Sequence, residues 1–567
     1  DCSCPCNCPA ISDNRTPSDF NGMPNLGGGD ATAPPPSTFA PVRFMDGAVS
    51  QVESDLQIPN GELFSHVRSY GSIASSDYDG DNGYNWYLQQ LPYAVQSGTS
   101  IAIVFNINSP FWFNLSGSSY VPRHGNVGVA LVEDTVAKTL TFTMLQGTQV
   151  LTTVFNSFSA TANQGLLVSQ TDGRGITTSV YAHTGARIDE LRRSYTISGV
   201  TTTEALAYTY FSSGSAFGKI QQITYRRQVG AGSWSDLQQV VYAYYGWTDA
   251  QGSLNDLKSA TQQLTDGSGG WNTIGVMYYR YYKTGDSLGF SHALKMHFGP
   301  EAYRQIFNAS INIDTASDAT LLPYADHYFE YNPSTKAATK EISQVCESCV
   351  GGGTSTDLFA YTTNPHGMPG STNYNYWMTK CEQTLPDSSK IIVYTNAYGM
   401  PMLRIGVNPA GTKKRCTFYL YDSNGRVIWK ARPSAVNGYD DTKNDLMDYN
   451  SGTGLYTYLN TSTGLIEVTD YYSSGATGYV QNQKVRQGQS GSDILVRSYT
   501  YSSNTDSNGT TVYPVATVVD YPDATTTATT ITTSYSYTYY SGTNQLSQKV
   551  TTLPSIASGQ NGSGTSA

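Results

Sequence analysis

Tyrosines paired one residue apart recur along this chain, and their spacing restricts the available folds more than any other feature. The pairs are Tyr208/Tyr210, Tyr242/Tyr244, Tyr279/Tyr281, Tyr419/Tyr421, Tyr456/Tyr458, Tyr499/Tyr501 and Tyr537/Tyr539. Pairs start 34 and 37 residues apart from 208 to 279 and 37, 43 and 38 apart from 419 to 537, with 140 residues between the two runs. Alternate residues of a strand share one face, so each pair places two rings side by side. An imperfect period in this range suggests stacked supersecondary units that bury a continuous core only when joined. Here the unit is read as a β-hairpin. A Tyr-rich chain also makes such pairs by chance, but two downstream contexts argue otherwise. Gly218-Lys219-Ile220 follows the first pair, and Asp422-Ser423-Asn424-Gly425-Arg426-Val427 follows the fourth.

Composition agrees with a sheet. Of 567 residues only 13% are charged, while 44 are Tyr and 54 are Gly. Disordered chains have the reverse balance, and helical bundles need many more Ala, Glu, Lys and Leu. With 33 Lys+Arg against 43 Asp+Glu, the net charge of −10 repels phosphate, so a nucleic-acid partner is not expected. No apolar run is long enough for a transmembrane helix. Leu140-Thr141-Phe142-Thr143-Met144 and the run from Ser534 to Tyr539 alternate with period two, as half-buried strands do. Helix signals are few: Pro300 to Ile306, with Pro and Glu in the first turn, and a second start near Ser253.

The chain divides into a Cys/Pro/Gly-rich leader or linker at 1–40, an N-terminal β domain at 41–310, a repeat-like β-sheet region at 311–555 and a Gly/Ser-rich tail at 556–567. It opens on Asp1 and Cys2 without an apolar signal core, so it is read as a mature or excised chain. Eight cysteines fall into the leader run Cys2, Cys4, Cys6 and Cys8, the C-x-x-C pair Cys346/Cys349, and the single Cys381 and Cys416. One C-x-x-C without a nearby His is a poor zinc site, so Cys346, Cys349, Cys381 and Cys416 are the disulfide candidates, with connectivity open.

Tyr419-Leu420-Tyr421-Asp422-Ser423-Asn424-Gly425-Arg426-Val427 resembles the YD-repeat unit of the RHS/teneurin family, Y-x-Y-D-x-x-G-R-L. Tyr419, Tyr421, Asp422, Gly425 and Arg426 carry that motif. Asp422 can accept from turn amides and Gly425 can take a positive φ. Upstream, Glu53-Ser54-Asp55-Leu56, Pro59, His66-Val67-Arg68-Ser69-Tyr70 and Gly83-Tyr84-Asn85-Trp86 are similar to the segment that opens many RHS shells. The resemblance implies an all-β fold: a repetitive antiparallel sheet, spiralling as a shell or part of one, with few short helices. It also implies a secreted or surface-exposed protein.

Candidate chemistry is sparse. Asp77, Asp79 and Asp81 alternate in a Gly-bearing loop and are the candidate ligands of a structural calcium ion; a solvated acidic turn is the alternative. The EF-hand pattern fails, because its sixth and twelfth positions are Asn82 and Leu88. The seven histidines form no metalloprotease motif, no nucleophile elbow or phosphate loop occurs, and no catalytic residue or required cofactor is assigned. Sequons at Asn14, Asn114, Asn308, Asn460, Asn508 and Asn561 are glycosylation candidates. The sequence therefore reads as an extracellular or cell-surface structural or adhesive protein. Its expected partner is itself, in filaments or a surface layer, or else surface glycans. The alternatives are the encapsulating shell of a secreted toxin and a carbohydrate-binding or glycan-processing protein. The latter would expose Trp86, Trp112, Trp234 or Trp271 along one groove.

Overall fold

The computed structural model describes residues 41–58, 63–72, 78–105, 110–122, 128–146, 149–344, 353–366, 373–507, 509–523 and 530–555. The leader, the tail, Asn14, Asp77, Cys346, Cys349, Asn508 and Asn561 lie outside them.

The fold is nearly all β. Among the described residues, 30 strands form one antiparallel sheet that runs in chain order from Tyr93–Ser97 to Leu546–Thr552. Each strand pairs with the next, apart from two small hairpins, Tyr449–Asn450 with Leu455–Tyr456 and Asn504–Thr505 with Thr511–Val512. The ladder crosses residue 310 without a break, where Leu294–Phe298 pairs with His327–Tyr331. The sheet stays open: no described pairing joins Leu546–Thr552 to Tyr93–Ser97. At its start it curls back on itself. Tyr93 bridges Leu166 and the Ala94 amide donates to Gly165 O at 2.7 Å, so the first strand lies against the head of the eighth, Leu167–Thr171.

The tyrosine period acquires a mechanism in this ladder. Near the end of a strand, a tyrosine hydroxyl donates to a carbonyl at the start of the preceding strand. Tyr210 donates to Ile188 O, Tyr244 to Ile220 O, Tyr331 to Leu294 O and Tyr421 to Pro401 O, at 2.6–2.8 Å. Tyr471 reaches Val427 O, Tyr501 reaches Val480 O and Tyr537 reaches Val515 O, at 2.8–3.0 Å. Six of the seven sit at a register shift in the ladder to the following strand, and each accepting carbonyl belongs to a residue at the shift of the ladder before, where a β-bulge interrupts the pairing. The hydroxyl satisfies that carbonyl while the ring covers the sheet. Two pairs depart from the pattern. Tyr456/Tyr458 lies in the inserted hairpin region, and Tyr471 serves that unit instead. Tyr281 accepts from the Trp86 indole at 2.9 Å.

The turns repeat as well. Asp422 Oδ1 accepts from the Asn424 and Arg426 amides, both at 2.9 Å, and Arg426 folds back to donate to Oδ2 at 2.7 Å. Asp172 and Asn396 accept from amides two and four residues on, and Asp506 from the Thr510 amide. Gly175, Gly399, Gly425 and Gly509 follow at φ 81°, 78°, 77° and 83°.

A second sheet of three strands, Ser50–Leu56, His66–Gly71 and Trp86–Leu88, packs against one face of the large one. Tyr70 OH donates to His292 O and accepts from the Leu294 amide. Gln262 Nε2 donates to Ser54 O and Asp55 O. The Ala338 amide donates to Gly47 O at 2.9 Å. One helix, Pro300–Asn308, forms where Pro and Glu open its first turn, and a short one follows at Asp318–Leu321. The helix expected near Ser253 does not form: Ser253 and Leu254 enter a turn, and Leu257–Thr265 is a strand whose backbone bonds are taken by both neighbours.

Gly425 tests the turn. A Cβ there would lie 2.7 Å from the Tyr374 ring in a left-handed backbone, whereas at Gly411 (φ 71°) it would meet nothing within 4 Å. Gly411→Ala should cost about 1 kcal/mol of backbone strain, and Gly425→Ala about 2–4 kcal/mol with the added clash. Urea midpoints measure both, and equal losses would contradict the packing role of Tyr374.

Candidate functional site

The three-stranded sheet presents charge to the interior. Strand alternation sends Glu53 and Asp55 to one face, and His66, Arg68 and Tyr70 to the face beside it. Arg68, fully buried, donates to both Asp55 oxygens at 2.5 and 2.8 Å, and to Tyr279 OH at 3.1 Å. Tyr242 OH donates to Asp55 Oδ2 at 2.6 Å. The guanidinium lies 4.6 Å from the Trp86 ring and 5.6 Å from the Tyr242 and Tyr279 rings. Burial alone would raise the Asp55 carboxyl; Arg68 and His66 overcome it and hold it well below the usual carboxylate range. Burial keeps the His66 ring neutral despite Asp55.

Three further histidines each face a carboxylate: His297 and Glu53 at 2.9 Å, His327 and Glu341 at 2.8 Å, His292 and Asp256 at 2.7 Å. Burial opposes charge on His297, but Glu53 outweighs it and raises the imidazole above its ordinary value. These pairs set opposite charges side by side in the core, although His66, His297, Arg68 Nη1 and Glu341 Oε2 keep buried polar atoms without a hydrogen bond among the described residues.

A cavity of about 270 Å³ opens beside this core. Asp79 to Asp81 of the small hairpin line one part, Leu91 to Tyr93 with Leu166 and Leu167 another, and Ala186 to Ile188 with Phe217 to Lys219 a third. Lys219 Nζ pairs with Asp79 and donates to Gly80 O at 2.8 Å, and Asn255 Nδ2 donates to Asp79 at 3.1 Å. Asp81 lines the cavity and is exposed. Desolvation pushes its carboxyl up, against the pull of Lys219 and Arg187 and with the repulsion of Asp79. Arg187 lies over the Tyr210 ring at 5.4 Å and the Phe217 ring at 5.9 Å.

The sequence-derived candidates fall as follows. Asp79 spends its carboxylate on Lys219 and Asn255, and Asp81 faces the cavity. Among the described residues no group of three or more His, Cys, Asp or Glu is placed to hold a metal ion. Cys381 and Cys416 are buried free thiols. Three strand steps separate them, Cys381 beside Val393, Val393 beside Arg404, and Ile405 beside Cys416, so they do not bond to each other. Asn114 and Asn308 are exposed and Asn460 is half-buried. Tyr419 and Tyr421 are buried, and Arg426 packs 4.6 Å from the Tyr471 ring. Trp86 and Trp112 are buried at 1% and 3% exposure, and Trp234 and Trp271 are half-buried, so the four line no common groove. Reading the sequence missed Arg187 and named Lys219 only as the basic residue of a turn. It quoted Asp55 and Arg68 only within a motif; their opposite charges at alternating positions were the available signal.

No family model and no curated protein matches the chain. Among solved structures it is similar to TcdB2-TccC3, at 12% identity and a TM-score of 0.19, covering 81% of this chain and 26% of that one. TcdB2-TccC3-TEV gives 9% identity and a TM-score of 0.20, over 88% and 28% of the two chains. A porin-like protein from Bacteroides uniformis gives 13% and 0.12, over 64% and 92%. The chain thus spans about a quarter of the length of the first two. At such TM-scores none of the three fixes its fold or function. No described helix is long and apolar enough to cross a membrane.

The His297–Glu53 pair gives a signed pH dependence. A raised histidine contributes stability that is full below its unfolded value of about 6.5 and is lost as pH rises through the folded value. Glu53 is held low, burial being outweighed by His297, so its share is full above about 4.3 and is lost on acidification. The difference in unfolding free energy between wild type and His297→Gln should therefore be largest between about pH 4.5 and 6.5 and shrink above it. A difference that stays constant from acid to alkaline pH would contradict the assignment.

Proposed function

We propose that this chain is a structural protein of an extracellular or cell-surface assembly, an RHS-repeat-like sheet wall that joins to further copies of itself through its strand edge. One observation carries this reading: among the described residues 30 antiparallel strands form one unbroken ladder, an architecture that grows by adding a further strand at its edge. Ser547 to Thr552 are exposed, and Val550 and Leu553 present 44% and 51% of their surface. Such an edge offers a row of backbone donors and acceptors to another strand. The opposite edge is shielded at its start by the Tyr93–Leu166 bridge. The low charge and the Ser, Thr and Tyr surface limit repulsion between copies.

Described residues of the segment from Val42 to Leu91 pack on the face of the sheet between 167 and 344, which favours a solid wall there over a cargo-holding shell. The buried Trp86 and Trp112 give no support to a tryptophan-lined glycan groove.

Light scattering after size exclusion, with electron microscopy of the same fractions, tests the reading. Wild type should form dimers or longer assemblies as concentration rises. Val550→Pro, which removes a donor and stiffens the edge, should stay monomeric with an unchanged melting midpoint. Monodisperse wild-type monomers at every concentration would overturn it.

A further inference from the structure

The cavity beside Asp79–Gly80 holds two opposite charges that the protein leaves unneutralised. Lys219 and Asp79 satisfy each other. Asp81 and Arg187 do not: among the described residues the Asp81 carboxylate accepts no hydrogen bond, and Arg187 pairs with no carboxylate. Both line the same cavity, and each feels the other's charge without an ion pair forming between them. Arg187 is half-buried and Asp81 exposed, so both charges are open to a ligand entering the cavity.

Arg187 is held by packing. Its guanidinium lies across the Tyr210 and Phe217 rings, and Gly218, at φ 85°, leaves room for it: a Cβ at that position would stand 2.4 Å from Nη2. Tyr210 is fixed in turn by its hydroxyl bond to Ile188 O at 2.8 Å. Asp81 is held by its backbone, since its carbonyl accepts from the Ile220 amide at 2.8 Å. The lining also includes the apolar Leu91, Leu166 and Ile188, and Phe217, which is 63% exposed.

We propose that this cavity binds a small zwitterion of amino-acid size with an apolar side chain, its ammonium on Asp81, its carboxylate on Arg187, and its side chain against Leu91, Leu166 and Ile188. The four charged groups of the cavity sum to zero, so a ligand without net charge is matched, and one that carries both signs neutralises both unpaired groups at once. A neutral sugar neutralises neither. The volume of about 270 Å³ admits one such molecule and excludes a folded chain. A planar guanidinium receives a carboxylate through two parallel bonds, which fixes the ligand's direction. This inference stands apart from the edge-pairing reading: neither the cavity nor its charges touch Leu546–Thr552.

Isothermal titration of the full chain with L-leucine tests it. Saturable one-to-one binding is expected. N-acetyl-L-leucine, which lacks the ammonium, and L-leucinamide, which lacks the carboxylate, should each bind about tenfold more weakly or worse, the loss of one charge-assisted contact. Arg187→Gln should weaken L-leucine and leave L-leucinamide unchanged, while Asp81→Asn should weaken both. Melting midpoints of the unliganded variants report whether they fold. Should a variant fail to fold, the comparison of the three ligands on the wild-type protein decides the matter alone. No saturable heat with L-leucine would overturn the proposal. So would D-glucose binding as well as L-leucine, or equal affinity for the three leucine compounds.

Discussion

A tyrosine hydroxyl bound to the first free carbonyl of the preceding strand is the contact on which the rest of this sheet depends. An antiparallel ladder must stop at each turn, and a bulge there leaves a carbonyl without a strand partner. Burying that carbonyl unsatisfied costs about 1–3 kcal/mol. Tyr210, Tyr244, Tyr331, Tyr421, Tyr471, Tyr501 and Tyr537 each supply the missing donor from the strand that follows. The same ring buries apolar surface, so one residue closes both the hydrogen-bond and the packing requirement of a unit. The neighbouring Asp or Asn turn then hands the chain to the next strand without leaving its own amides free.

The three-stranded sheet depends on that frame. Arg68 and Asp55 leave water together, which costs several kcal/mol per ion before their attraction is counted. The cost is offset by two bonds between them, the Tyr242 and Tyr279 hydroxyls, and three aromatic faces. Those tyrosines are inner members of the same Tyr-x-Tyr pairs. In the first two units the outer tyrosine ties strand to strand, and in the third it receives the Trp86 indole. Tyr242 and Tyr279 grip the charged sheet. The repeat therefore organises the large sheet and the N-terminal segment packed on it, and the segment's return hairpin at Asp79 walls the cavity.

Much of the fold was legible because it follows from short-range rules. Period-two alternation located Thr139–Gln146 and Ile531–Tyr539, and Pro300 with Glu301 located the helix. The Asp422 turn was readable from Asp, Gly and Arg at fixed offsets; Asn396 makes the same turn but ends on Met400, so its sequence hid it. Tyr331 and Tyr471 escaped notice because only one tyrosine per unit is needed for the hydroxyl bond, and neither has a partner two residues away. The cavity escaped for a different reason. Asp81 and Arg187 are 106 residues apart, brought together by sheet curvature that no local pattern encodes. The alternating aspartates drew attention to the right loop, but the chemistry at Asp79 is that of Lys219.

The hydroxyl bonds themselves admit a direct measurement: equilibrium unfolding and native-state hydrogen exchange of single Tyr→Phe variants along the repeat. Tyr421→Phe and Tyr501→Phe remove one oxygen each and keep the ring. Each is predicted to lose about 1–2 kcal/mol, with faster exchange concentrated in the two strands that the hydroxyl joins. Tyr540→Phe, whose ring is 55% exposed, should change stability by less than about 0.5 kcal/mol. Losses no larger at Tyr421 and Tyr501 than at Tyr540, with unchanged exchange, would contradict the account.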